Sequence, residues 1–190
     1  MKITLKDGSV LEYNEAKTAA DITKDISMGL FRNATCCKIN GEVKDLRTVI
    51  DTDASLEILT FDDEDGRKAF NHTASHIMAQ AVKRLYPEAK LTIGPAIDNG
   101  FYYDFDVEKS FSPEDLAKIE AEMKKIVKEN PEIKRFELPV DEAIALMESK
   151  NEPYKIELIK EHAEKGEPIS FYEQGEFTEL CAGPHLMDMK

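Results

Sequence analysis

The feature that most constrains this chain is the acidic run Asp62-Asp63-Glu64-Asp65, opened by Phe61 and closed by Gly66. Four adjacent carboxylates repel one another and hold water, so the segment is expected to be a linker, with a boundary after residue 61. Before it, short runs alternate apolar and polar side chains; after it, apolar residues recur mainly at helical spacing. The 190 residues, 42% of them hydrophobic, suffice for two modest domains, 1–61 and 62–190, each burying its own core.

In the first part, residues 3–13 alternate around Lys6-Asp7-Gly8-Ser9, and Asp-Gly is a strong hairpin signal. Thr18 followed by Asp21 fits a capping box, and Ala19, Ile22 and Ile26 then recur at helical spacing. Further short strands are expected at 34–39, after the Asn40-Gly41 turn at Val43, and at 55–59. Hairpin, helix and more strands within about 60 residues is the order of a β-grasp fold.

In the second part, residues 67–86 form a helical pattern ending at Pro87, with Phe70, Ala74, Ile77, Met78, Ala81, Val82 and Leu85 on one apolar arc. Residues 93–105 read as strands around Asn99-Gly100. Ser112 is an N-cap before the N1 proline Pro113, starting an amphipathic helix that runs to about Asn130. A strand at 135–138, a helix at 141–148, a polar helix at 157–164 and a strand at 169–172 follow. Interleaved helices and antiparallel strands make the whole chain α+β, the second domain having a central antiparallel sheet packed by helices.

The formal charge of −13 argues against broad nucleic-acid binding, since phosphate contacts need clustered Lys and Arg. No apolar run reaches the roughly 18 residues needed to span a membrane, and the N-terminus enters a strand pattern directly, so a cytoplasmic protein is expected. Three cysteines do not make a disulfide framework. Cys36 and Cys37, adjacent on a strand, point to opposite faces and read as buried filler.

Two short motifs concentrate the chemistry. His72 and His76, one helical turn apart, share a face and lie off the apolar arc, toward a cleft or solvent. His72 is not followed by Glu, so the zinc-protease pattern is absent. Cys181 and His185 flank Gly183-Pro184, a bend that can turn both into one pocket. Three histidines and a thiolate could hold zinc with or without a bound water. Equally, they could position a water with no metal, one histidine acting as base and a cation such as Lys155 stabilising the developing negative charge. The run from Gly94 to Phe105 adds glycines and consecutive aromatics suited to a pocket wall. Of Tyr102 and Tyr103, at most one lines it.

In this order, His72-Thr73-Ala74-Ser75-His76, the run from Gly94 to Asp104, Glu152-Pro153-Tyr154-Lys155 and Cys181-Ala182-Gly183-Pro184-His185 resemble the editing domain of bacterial threonyl-tRNA synthetases. Residues 1 to about 61 resemble the TGS domain preceding it. The two His/Cys pairs also occur in alanyl-type editing domains; the Gly-Phe-Tyr-Tyr-Asp run and the leading module favour the threonyl family.

The resemblance implies hydrolysis of serine wrongly attached to tRNA(Thr), because one methyl separates threonine from serine and gives only about 1–3 kcal/mol of discrimination. It implies that His72 and Lys155 activate or hold the water, and that His76, Cys181 and His185 line the pocket. Tyr103, Asp98 and Glu179 contact substrate, Glu179 standing where the family often has aspartate. Editing is implied to need no cofactor or metal. ATP, a zinc ion, aminoacylation and homodimer formation are implied for further domains of the family, and the partner here is the serine-bearing 3′ end of tRNA(Thr). Two other readings stay open: a non-catalytic TGS-type regulatory or tRNA-binding module, and a zinc-dependent alanyl-type deacylase acting in trans.

Overall fold

The computed structural model describes residues Met1–Lys190, which form two compact units. The first comprises Met1–Thr73 and Gly183–Met187, the second Ala74–Ala182 and Asp188–Lys190. No helix is long and apolar enough to cross a membrane.

The first unit opens with β1 (Lys2–Leu5) and β2 (Val10–Glu12), then β3 (Lys17–Thr18), α1 (Ala19–Ile26), α2 (Met28–Asn33), β4 (Ala34–Ile39), β5 (Glu42–Lys44), β6 (Val49–Ile50) and β7 (Ala54–Thr60). The sheet order is β2-β1-β7-β4-β5, with β1 and β7 parallel and the other pairs antiparallel; β3 and β6 form a separate short ladder. This is the β-grasp arrangement. Its turns follow from the residues that make them. Asn40 and Gly41 take φ of 50° and 83°, and the Thr18 hydroxyl caps α1 by accepting from the Asp21 N–H. The first hairpin loop is looser than a two-residue turn: only Gly8 has positive φ, and the Asp7 carboxylate accepts from the Ser9 N–H at 2.9 Å. Ile3, Ile22, Leu46 and Leu56 are buried between sheet and helix, each worth about 1.5–3 kcal/mol. Cys37 joins that core while Cys36 packs with Leu59 and Ala69, so the adjacent thiols do lie on opposite faces.

The acidic run is not a free linker. The long helix α3 (Glu64–Leu85) already starts within it, placing Glu64 and Asp65 in the first turn, where the helix dipole favours carboxylates. Asp63 accepts from the Thr60 N–H at 2.8 Å, and Lys38 pairs with Asp65 at 3.2 Å. Gly66 fits because a Cβ there would lie 1.9 Å from the Thr60 carbonyl oxygen. Phe70, expected on the buried arc, is exposed and packs edge-on against Phe61. Residues 64–73 of α3 belong to the first unit and 74–85 to the second.

The second unit continues through β8 (Lys90–Leu91), β9 (Ala96–Ile97), β10 (Gly100–Phe101), β11 (Phe105–Asp106), α4 (Pro113–Glu129), β12 (Ile133–Glu137), α5 (Val140–Ser149), α6 (Pro153–Glu164), β13 (Ser170–Gln174) and β14 (Phe177–Leu180). The antiparallel sheet β12-β13-β14 is sandwiched by helices. On β13, Tyr172 faces Ile77, Val82, Ile119 and Ile126, while its neighbour Phe171 faces Ala143, Met147 and Ile159. Ser112 and Asp115 complete a capping box on α4. Helix α6 begins four residues earlier than the apolar pattern suggests, because Pro153 sits in its first turn.

Candidate active site

Lys155 is one consequence of that earlier start. In the first turn of α6 its side chain points inward and is 4% exposed, where a solvated lysine is the ordinary expectation. Its ammonium donates to Glu179 Oε1 at 2.8 Å and lies 5.7 Å from the Tyr103 ring centre. The start of α6 is pinned by Glu152, itself buried, which accepts from the Leu91 N–H at 2.8 Å and pairs with Lys83 at 2.8 Å.

Glu179, on β14, is the centre of this cluster. Tyr103 also donates to its Oε1, and His76 Nε2 stands 3.3 Å from its Oε2. Burial pushes the Glu179 carboxyl up, but His76, Lys155 and Tyr103 together outweigh that and hold it down at about 2. Burial and the Glu179 charge push the Tyr103 phenol well above its ordinary range, so it acts as a donor. Tyr103 is buried and Tyr102 is 45% exposed, so only the former contributes. Gly94 makes room for it: a Cβ there would lie 2.0 Å from Tyr103 Cδ2, and the Gly94 carbonyl accepts from Ser75 Oγ at 3.2 Å.

His76 departs from the sequence expectation in one respect. It lies off the apolar arc, yet it is 2% exposed, covered by polar company and by Phe177 at 6.2 Å between ring centres. Its Nε2 faces the Glu179 carboxylate, not solvent.

His185 is fixed differently. Its Nδ1 lies 2.9 Å from Thr73 Oγ1, and its ring packs on His72 with centres 4.2 Å apart. Its backbone N–H donates to Asp45 Oδ2 at 3.1 Å, and Arg47 donates to the carbonyls of His185 and Leu186 at 3.3 and 2.8 Å. Cys181 is tied through its backbone, its N–H donating to the Ser170 carbonyl at 3.0 Å and its carbonyl accepting from Ser170 Oγ at 2.6 Å. Of the four residues of the two His/Cys motifs, His72 and His185 lie in the first unit and His76 and Cys181 in the second.

Asp98 is not brought into this group; it is exposed on the turn between β9 and β10. Conversely, Asp45, Arg47, Thr73 and Glu152 carry positioning contacts that sequence reasoning did not single out. Only Glu152, next to a helix-starting proline, left a local signal.

Residues 1–60 match the TGS domain family. The whole chain is similar to threonine--tRNA ligases: 64% identical over 98% of its length to that of Acetivibrio thermocellus, 63% over 98% to that of Clostridium tetani, and 62% over 100% to that of Clostridium perfringens strain SM101. The chain corresponds to the N-terminal part of a threonyl-tRNA synthetase. It spans 29% of the length of these relatives. The β-grasp unit thus carries a TGS domain, and the four residues of the His/Cys group lie outside the 1–60 match.

The donor set of that group fits zinc. Imidazoles and a thiolate are its ordinary ligands, and His76 and His185 each have a polar partner of the kind that orients a metal ligand. A zinc ion held by three of His72, His76, Cys181 and His185 would supply Lewis acidity toward a bound water, whereas one held by all four would be structural.

Proposed function

We propose that this chain removes serine from tRNA(Thr) by hydrolysing the ester that joins them, as the editing part of a longer ligase. The observation that carries this reading is the buried cluster of His76, Tyr103 and Lys155 on Glu179, with the His72 and His185 rings packed 4.2 Å apart as a second element.

Ester hydrolysis needs a base for the water proton, donors for the charge growing on the carbonyl oxygen, and a proton for the departing 3′ oxygen. An imidazole of the His72 and His185 pair takes the water proton and returns it to the leaving oxygen. Lys155 carries three N–H bonds, of which one goes to Glu179, and its charge stabilises the oxyanion. His76, held by Glu179, orients the water. The serine α-ammonium is a cation and goes to Glu179, whose carboxylate offers about four lone-pair sites. Tyr103 and Lys155 both donate to Oε1, and His76 stands 3.3 Å from Oε2, which accepts no hydrogen bond and so keeps room for the ammonium. Tyr103, held between Gly94 and Phe105, forms a wall that favours the smaller amino acid. Ligation, with its ATP and zinc, we assign to the part of the longer relatives that this chain does not span. The tRNA body is assigned there too, consistent with the acidic balance of this part, and the setting is the cytoplasm.

Incubating the chain with Ser-tRNA(Thr) and with Thr-tRNA(Thr) tests the reading. Release of serine well ahead of threonine supports it. Binding without release of either amino acid would support a TGS-type binding module instead. Metal analysis of protein purified without added zinc addresses the alanyl-type reading, which the donor set favours: one tightly held ion per chain would support it.

A further inference from the structure

The TGS domain contributes more than a fold. Asp45 and Arg47, on the segment between β5 and β6, form an ion pair at 3.0 Å, and both residues are largely buried. Their hydrogen-bonding capacity is directed at one distant stretch of backbone. Asp45 Oδ2 accepts from the His185 N–H at 3.1 Å; Arg47 Nη1 donates to the His185 carbonyl at 3.3 Å and Nη2 to the Leu186 carbonyl at 2.8 Å. Asp45 Oδ1 holds Arg47 in turn, through its backbone N–H at 2.8 Å and its guanidinium at 3.0 Å. The Leu186 N–H donates to Thr73 Oγ1 at 3.0 Å, the same oxygen that meets His185 Nδ1. Both faces of the His185 peptide and the next carbonyl are therefore fixed by two side chains about 140 residues away in sequence.

A histidine in an irregular segment has no helix or sheet to aim it, and its ring direction follows its backbone. Gly183, two residues before His185, has φ of 77°, a left-handed bend that glycine adopts without a Cβ penalty. A planar guanidinium bridging two carbonyls and a carboxylate anchors the backbone that follows, because its N–H bonds diverge at fixed angles.

We propose that Asp45 and Arg47 of the TGS domain are positioning residues of the hydrolytic site, holding the Gly183–Met187 segment so that His185 stays against His72. The inference rests on the deacylation reading above. It makes the TGS domain a structural part of editing, with no contact of its own to the substrate.

The test compares Arg47→Ala, Arg47→Lys and Asp45→Ala with a core variant of the same unit, Ile3→Val, in the 190-residue chain, using serine release from Ser-tRNA(Thr). Arg47→Ala and Asp45→Ala should lower kcat roughly 10- to 100-fold with KM nearly unchanged, since misplacing a reacting group by about 1 Å has effects of that size. Arg47→Lys keeps one donor of the fork and should restore kcat in part. Ile3→Val should keep kcat, whatever it does to the melting temperature. Amide exchange at His185 and Leu186 should quicken in the two alanine variants and not in Ile3→Val. Hydrolysis at the wild-type rate in Arg47→Ala and Asp45→Ala overturns this inference and leaves the deacylation reading intact. An unaltered chain that releases no serine overturns the deacylation reading, and this inference with it.

Discussion

The two histidines that bracket the candidate site, His76 and His185, are both buried and both held, but by opposite means. His76 faces a cluster of charged and phenolic side chains gathered on Glu179, whereas His185 is held through its own backbone by Asp45 and Arg47. The first arrangement sets electrostatics: it keeps an anion and a cation buried together beside an imidazole. The second sets direction, and its energy is in hydrogen bonds to peptide groups. Damage to the first should therefore appear in stability and activity together, and damage to the second mainly in activity.

Removing the anion should have the largest effect. Glu179→Ala leaves the buried Lys155 ammonium without its partner, and a stranded buried charge costs about 3–5 kcal/mol. Urea denaturation should show that loss; a midpoint shift of only a few tenths would mean that the cluster is far wetter than described. Gly94→Ala comes next. Its Cβ meets the Tyr103 ring, which must leave Glu179, and overpacking of this kind costs about 1–3 kcal/mol. Serine release should fall with it, and an unchanged rate would remove Tyr103 from the pocket wall.

Acid probes the first arrangement further. The folded Glu179 carboxyl is depressed to about 2 from an ordinary 4.5, so its stabilisation is present above about pH 4.5 and drains away as pH falls toward 2. Glu179→Gln should flatten that part of the acid limb of a stability-against-pH curve; an unchanged limb would place its cause elsewhere. The smallest effect is on the alkaline side. Burial pushes the thiols of Cys36 and Cys37 up to about 11 and about 12, so the unfolded chain ionises first and stability falls once pH passes about 9. Cys36→Ala with Cys37→Ala should shallow that decline; an unchanged alkaline limb would place its cause elsewhere.

What was legible in the sequence divides along the same line. Local chemistry was readable: the Asn40-Gly41 turn, the Ser112 cap with Pro113, the opposed Cys36 and Cys37, and the histidine spacing on α3 all follow from a few adjacent residues. The acidic run misled because like charges suggest solvent, while a helix N-terminus accepts carboxylates, and Gly66 lets the chain approach the Thr60 carbonyl. His76 was expected to face a cleft or solvent because burial of a polar group depends on partners far along the chain, here Glu179. Asp45 and Arg47 left no trace at all, since their partners are backbone groups, which look alike in every sequence.

The most direct test of the central claim is the single-turnover rate of serine release from Ser-tRNA(Thr) by the unaltered chain, His72→Ala and Lys155→Ala. One imidazole base and one charge-stabilising cation predict a loss of at least about 100-fold in each variant. Serine release at the unaltered rate by both variants would contradict it.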